Sequence, residues 1–330
     1  MKKIALEEHF MLPALVEYWK ETSANINRQL YEKALGALSD FGERRLEVMN
    51  KNGVEFAVLS LAGPGVQIER SEVTSVRVAR EANDLLAREI QRQPGRYGGF
   101  AHLPMQDPMA AADELERCMR DLGFQGAMIN GHTNGTYLDD DRFSPFWERS
   151  SALSAPIYIH PGNPPDRPYM YSGHPELWGP MWSWGVETAN HALRIVFAGV
   201  FDRYPGARVI LGHMGEALPF QLWRIDSRWN ISNRFRDLKK QPSEYFRTNI
   251  SVTTSGVFSM EPLLCAVSAL GEDNVMFSID YPFEDSAGAC EFIGNAPISE
   301  DLRAKLCYRN AASKLKLPIK LSGAGGVAGQ

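Results

Sequence analysis

The segment Ile4-Ala5-Leu6-Glu7-Glu8-His9 runs three apolar residues into two carboxylates and an imidazole. In an extended chain successive side chains alternate faces, so Glu7 and His9 point one way and Glu8 the other. A carboxylate and an imidazole two residues apart on one strand face can bind one divalent cation. Taken alone, Glu-x-His is more often a solvated strand end with incidental charges. Here three more apolar segments, 156–160, 209–213 and 274–280, end in residues of the same chemical kind: His160, His213 and Asp280. Two imidazoles (His9, His160) and two carboxylates (Glu7, Asp280), with no thiolate, suit a borderline-to-hard ion such as Zn2+, Mn2+, Co2+ or Fe2+. His213 is followed three residues later by Glu216. One helical turn would let that carboxylate reach the ring, orient it and raise its basicity. Metal ligand, proton shuttle and satisfied core histidine compete for His213, and its place at a strand end makes the last the weakest.

These groups act together only if the fold gathers the strand ends. Eight short apolar segments are legible, at 4–9, 56–61, 98–103, 126–130, 156–160, 209–213, 249–253 and 274–280. Helical patterns follow most of them, at 43–51, 73–93, 107–122, 186–203 and 300–315. Continuous apolar runs suit parallel strands buried on both faces, and the alternation gives either a (β/α)8 barrel or a doubly wound open sheet. No Gly-x-Gly-x-x-Gly turn follows the first strand, which weakens the dinucleotide-fold reading. Polar residues mark nearly every strand's carboxyl end: Glu7 and His9, Ser60, His102, Asn130, His160, His213, Thr253 and Thr254, Asp280. A barrel brings all of these to one mouth. The expected architecture is therefore α/β: a single-domain (β/α)8 TIM barrel over 1–318, with a flexible Gly/Ala-rich tail over 319–330. A polar stretch with Trp19, Tyr31 and Phe41 reads as an N-terminal insertion. The connection 161–185 after strand 5 carries six prolines, four glycines and five Trp or Tyr residues. Long loops of this kind are functional or packed against something, and a pocket lid and a subunit interface suit it equally.

Composition narrows the function classes. With 330 residues, 44% hydrophobic and 23% charged, the chain can bury a sizeable core. A net charge of -5 argues against a dedicated nucleic-acid or anionic-membrane surface. The start Met1-Lys2-Lys3-Ile4 is not a signal peptide, and no stretch approaches the roughly 20 apolar residues of a membrane span. Cys118, Cys265, Cys290 and Cys307 have no close pairing and read as buried thiols of a reducing compartment, so a soluble cytoplasmic protein is expected.

Several motifs in order resemble one family. Ala5-Leu-Glu-Glu-His-Phe10, His160-Pro161, Gly212-His-Met-Gly-Glu216, Trp223-Arg-Ile-Asp226 and Phe277-Ser-Ile-Asp-Tyr-Pro-Phe283 are similar to the metal-dependent decarboxylase branch of the amidohydrolase superfamily. The likeness runs from the first strand to about Pro318. His9 stands where 2,3-dihydroxybenzoate and 5-carboxyvanillate decarboxylases carry Ala, which resembles the gamma-resorcylate (2,6-dihydroxybenzoate) group of that branch. The resemblance implies one Mn2+ or Zn2+ on Glu7, His9, His160 and Asp280, with no organic cofactor. It implies His213 with Glu216 as a catalytic pair outside the ligand set, Arg224 and Asn130 near a small aromatic acid, and a homodimer or homotetramer. The chain departs from the family pattern between Met11 and Phe41, where Trp19 is expected to supply an aromatic contact. The implied activity is the non-oxidative, reversible decarboxylation of an ortho-hydroxybenzoate. Asp280 would protonate the ring carbon, and the ring itself would be the electron sink as CO2 leaves. The alternative on the same residues is a hydrolase of a lactone or amide, with Asp280 as base. Among the other histidines, His191 reads as structural within a helix and His174 as a loop-ordering residue. His102 is expected to support the site from behind, and His132 is left between substrate contact and loop structure.

Overall fold

Runs of Val, Ile, Leu, Phe and Tyr form eight strands: β1 (Lys3–Phe10), β2 (Val54–Leu61), β3 (Tyr97–His102), β4 (Gly126–Asn130), β5 (Pro156–His160), β6 (Arg208–Leu211), β7 (Ile250–Thr253) and β8 (Val275–Met276). The computed structural model describes residues 1–23, 27–232 and 236–317. The strands lie in the order β1 to β8, and each neighbouring pair is parallel. The ring closes just beyond β8. Glu8 and Tyr281 form a parallel bridge. The His9 N–H donates to the Tyr281 carbonyl at 2.7 Å and the Asp280 N–H to the Glu7 carbonyl at 3.1 Å. This is the expected single-domain (β/α)8 barrel.

Helices α1 (Val16–Ser23) and α2 (Arg28–Leu38) fold the N-terminal insertion, and α3 (Glu43–Lys51), α4 (Glu72–Arg92), α5 (Pro108–Arg120), α6 (Ser144–Leu153) and α7 (Ser183–Phe197) cover successive strands. Their starts follow from local chemistry. The Ser71 hydroxyl accepts the Thr74 N–H ahead of α4. Asp107 accepts the Met109 and Ala110 N–H groups ahead of α5, with Pro108 in the first turn. Such caps satisfy donors that the helix itself cannot.

The core has two layers. Leu59, Ala79, Leu86, Leu115, Ile129, Ile157, Ile195 and Leu211 belong to the layer between strands and helices. Leu6, Val58, Phe100, Met128, Tyr158, Ile210 and Met276 pack together inside the barrel. Strand parity then carries the interior positions two residues onward to Ser60, His102, Asn130, His160, Gly212 and Ser278, so the next layer up is polar.

Strand β1 reaches that layer by a break in alternation. Ala5 pairs with Ala57, but Glu8 already pairs with Leu59, so one extra residue of β1 is accommodated between them. Ile4 and Leu6 face the interior, and the bulge turns Glu7 and His9 inward as well while Glu8 faces out. The Ser278 hydroxyl accepts both the Leu6 and Glu7 N–H groups, at 3.2 and 2.6 Å, which supplies the acceptor the broken ladder lacks.

Several expectations shift. The helix read over 186–203 begins at Ser183 and is broken by Gly199 (φ 70°) into α7 and the short helix Val200–Arg203. The sixth strand stops at Leu211, before His213, and the eighth is shorter than 274–280. Beyond it the Ser278 backbone is held by a side chain instead: the Thr254 hydroxyl donates to the Ser278 carbonyl (2.8 Å) and accepts its N–H (3.0 Å). All four cysteines are free, but only Cys118 and Cys307 are fully buried. No helix among the described residues is long and apolar enough to cross a membrane. The tail read over 319–330 lies outside the described residues.

Candidate metal centre

Glu7, His9, His160 and Asp280 converge as the sequence predicts, each offering one ligand atom, all of these within 4.8 Å of one another. Glu7 Oε1, His9 Nε2 and Asp280 Oδ1 are buried and have no hydrogen-bond partner among the described residues. Buried polar atoms are almost always paired, so three orphans facing one point fit a divalent cation. His9 Nε2 stands 3.2 Å from Asp280 Oδ1, and His160 Nε2 3.5 Å from Glu7 Oε1.

The other atoms of these ligands are fixed. Strand pairing sets His9 beside Ser60, whose hydroxyl meets His9 Nδ1 at 3.1 Å. His160 Nδ1 donates to the Pro161 carbonyl at 2.8 Å, which leaves Nε2 bare. Glu7 Oε2 accepts from the hydroxyls of Tyr158 and Ser255, and Tyr158 meets Thr253 at 2.7 Å. Outer contacts of this kind set ring orientation and tautomer. Gly212 is required beneath them, because a Cβ there would stand 2.7 Å from Glu7 Oε2 and 3.2 Å from the Tyr158 hydroxyl. Burial and the neighbouring His9 push His160 down to about 3, so its ring is neutral, the form a metal takes. Burial raises the Glu7 carboxyl, partly offset by His213. Glu8, turned to the outer side, is buried as well, and desolvation lifts its carboxyl to about 8.

His213 pairs with Glu216 as expected, Nδ1 to Oε1 at 2.7 Å, but not through a helical turn. His213, Met214, Gly215, Glu216 and Ala217 all have positive φ, from 49° to 78°. This left-handed turn folds Glu216 back under the ring. His213 Nε2 lies 3.6 Å from Asp280 Oδ2 and 3.9 Å from Glu7 Oε1. Burial works against the imidazolium, yet Glu216, Glu7 and Asp280 outweigh it and hold the ring well above its ordinary value. Burial also raises Asp280, but its contacts with His213 and His9 prevail and hold it well below the usual carboxylate range.

A cavity of about 1590 Å³ opens over these groups, more than the roughly 300–1000 Å³ of an ordinary small-molecule site. Asn130, His160, His213, Glu216 and Asp280 lie at its floor, and Trp19, Phe283, Trp178, Trp182 and Trp184 are on its walls. Asn130 Oδ1 is buried and has no partner among the described residues. Trp19 stacks on Tyr31 at 5.1 Å and stands 6.0 Å from Phe283, which in turn is 5.7 Å from the His9 ring. Trp178, Trp182 and Trp184 bring the aromatic connection into the cavity lining, and within it the Trp184 indole N–H donates to Asn163 Oδ1 (2.7 Å). Arg224 is not brought here; it is exposed on the helix Leu218–Trp229. His132 lines the cavity but is committed on both ring nitrogens, to the Gly135 N–H and the Asn163 carbonyl. His102 accepts the Val66 N–H at 2.9 Å and fixes the turn after β2. His191 is buried and accepts the Leu138 N–H at 3.1 Å, and His174 is exposed beside Glu176. Tyr158 and Ser255 escaped the sequence reading, and Gly212 and Ser278, though inside the quoted motifs, were given no role there. For Tyr158, Ser255 and Ser278 the one signal was shared parity with His160, Thr253 and Asp280.

The amidohydrolase family model matches residues 24–317. The chain belongs to the amidohydrolase family. It is 42% identical over 324 residues to the gamma-resorcylate decarboxylase of Polaromonas sp., covering 96% of this chain and 98% of that one. Among solved amidohydrolase-type structures, a 2,6-dihydroxybenzoate decarboxylase complexed with 2,6-dihydroxybenzoate superimposes with TM-score 0.91 at 40% identity, over 96% of this chain and 100% of the other. A dihydroxybenzoic acid decarboxylase of Polaromonas sp. with bound manganese and the inhibitor 2-nitroresorcinol gives 0.90 at 42% identity, over 96% and 97%.

Proposed function

We propose that this amidohydrolase-family chain is a carboxy-lyase that reversibly removes CO2 from an ortho-hydroxybenzoate of the 2,6-dihydroxybenzoate type. The observation that carries the reading is the set of orphaned ligand atoms on Glu7, His9 and Asp280 beside the His213–Glu216 pair, in a chain 42% identical to a gamma-resorcylate decarboxylase. Mn2+ or Zn2+ held by Glu7, His9, His160 and Asp280 would supply a Lewis acid that draws the substrate carboxylate and its ortho oxygen to one point.

The chain's own residues then manage one proton. Direct loss of CO2 would leave an unstabilised aryl carbanion, so the ring carbon must be protonated first. His213 hands its proton across the 3.6 Å to Asp280, and the neutral imidazole takes the phenolic proton. Asp280 protonates the carbon bearing the carboxylate. The bond to the carboxyl carbon breaks, its electron pair restores the aromatic ring, and CO2 leaves. The product departs as a phenolate that takes a proton from water. Glu216 keeps the imidazole oriented throughout. Asn130 faces the ring's polar substituents and Trp19 its face. With Arg224 on the exposed helix Leu218–Trp229, beside Trp223 at 78% exposure and near Phe220 at 77%, a homodimer or homotetramer in the cytoplasm completes the reading.

The test is turnover by the Mn2+-loaded chain of 2,6-dihydroxybenzoate against 4-hydroxybenzoate, with and without chelator. An ortho oxygen is needed to fix the reacting carbon beside Asp280, and positioning of this kind carries much of a rate enhancement. The ortho acid should react far faster, the product formed in deuterated water should carry deuterium at the vacated carbon, and bicarbonate should carboxylate resorcinol. Comparable rates for both acids would defeat the reading, and hydrolysis of a lactone with neither acid turned over would establish the hydrolase instead.

A further inference from the structure

Asp280 has a backbone φ of 81°, a region L-residues rarely occupy, and such conformations persist only where the surroundings hold them. What holds this one lies on the reverse of β1. Glu8 is 4% exposed and faces away from the metal centre. Its Oε1 accepts the Ile279 N–H at 3.1 Å and the Ser278 hydroxyl at 3.3 Å, so it grips the residue immediately before Asp280. The residue immediately after is held as well. The Tyr281 carbonyl accepts the His9 N–H at 2.7 Å, and the Arg45 guanidinium lies 4.7 Å over the Tyr281 ring. Arg45 is itself buried and donates to the carbonyls of His9 (2.6 Å), Asp40 (2.7 Å) and Ala37 (3.2 Å).

The backbone holds this stretch too, with the Gly256 N–H donating to the Ile279 carbonyl at 3.3 Å and the Phe283 N–H to the Asp280 carbonyl at 2.9 Å, but the Glu8 contact is a side-chain acceptor on the Ile279 N–H that a substitution can remove. We propose that Glu8 is a positioning residue, whose side-chain acceptor on the Ile279 N–H fixes the left-handed Asp280 and so aims its carboxylate at the metal point and the ring carbon. The inference rests on the proposed decarboxylase reading for its kinetic part and on the candidate metal centre alone for its binding part. Length and acceptor character matter here, and charge does not. Glu8→Gln keeps an oxygen at the same reach. Glu8→Asp keeps a carboxylate but withdraws it by one methylene, and Glu8→Ala removes the group.

The experiment measures Mn2+ binding to the full chain by titration and by the Mn2+ electron paramagnetic resonance signal, together with kcat and KM for 2,6-dihydroxybenzoate. Support for a metal site from outside its ligands is worth about tenfold to a hundredfold in affinity or activity. Glu8→Asp and Glu8→Ala should lose that much in Mn2+ affinity or kcat, with an altered signal and little change in KM, and Glu8→Gln should restore both. If Glu8→Ala fails to fold, the Asp and Gln pair decides. Parent-like Mn2+ binding, signal and kcat in Glu8→Asp would overturn the proposal, and so would an equal loss in Glu8→Gln. Should the parent chain leave 2,6-dihydroxybenzoate untouched, the function reading falls, while a Mn2+ defect in Asp that Gln repairs still supports the positioning role.

Discussion

At the scale of single residues the site divides into atoms that are bare and atoms that are held. Glu7 Oε1, His9 Nε2 and Asp280 Oδ1 are bare, while His213 sits outside that group with Glu216 on its far nitrogen. Replacing Glu7 or His160 by Ala should therefore abolish bound Mn2+ in elemental analysis. His213→Asn should keep the metal and the fold yet lose turnover by roughly a hundredfold to ten-thousandfold, the usual cost of removing an acid–base group. Metal-free His213→Asn would transfer that histidine to the ligand set. Much of this division was legible in the sequence. Alternation alone put Glu7 and His9 on one face, and chemical type picked out His160 and Asp280 at strand ends. Tyr158 was not legible, because inside Pro-Ile-Tyr-Ile-His it reads as one more apolar core residue until the fold sets its hydroxyl on Glu7. Arg224 shows the converse. A motif singled it out, but within one chain its helix turns it to the surface.

At the scale of elements, three departures from regular structure do the placing: the bulge in β1, the left-handed turn at 213–217 and the short β8 with its extension. None follows from periodicity. The bulge depends on Ser278, which lies across the barrel seam and is supplied by the far end of the chain. The left-handed turn is adopted by His, Met, Glu and Ala as well as Gly, residues with no intrinsic preference for it. The helices were easier, since caps and stop signals are local, although Gly199 broke one that periodicity had run on to residue 203. Helix α7 also carries a buried carboxyl with no place in the proposed chemistry. Glu187 is 2% exposed, and burial lifts it to about 8 from the usual 4.5. The folded chain then holds this proton more tightly than the unfolded chain does. Its stabilising contribution is complete below pH 4.5 and is lost as pH rises through 8, at about 1.4 kcal/mol per pH unit over the interval between. Glu187→Gln should flatten that slope. Unfolding midpoints of parent and variant across pH 5 to 8 measure it, and parallel curves would show Glu187 to be ionised in the fold.

At the scale of the whole molecule, a barrel was legible because eight apolar runs alternated with helical patterns and ended in polar residues. The manner of its closure was not. Seven of the eight seams are backbone ladders, whereas β8 meets β1 through one bridge, two backbone bonds and the side chains of Ser278 and Glu8. Glu7 and His9 stand on one side of that seam and Asp280 on the other. A ligand that binds only the closed ring stabilises it by mass action, so a cation here acts as a rivet on the weakest joint of the cylinder. Chelation should lower the unfolding temperature. In hydrogen–deuterium exchange, the amides of Glu7, His9, Ile279 and Asp280 should lose protection before those of β4 and β5. Uniform loss around the barrel would mean that the ring opens everywhere at once. If the seam opens first, the molecule fails by unrolling from its catalytic edge, and the loss of activity on heating should precede the loss of helical signal by a measurable interval.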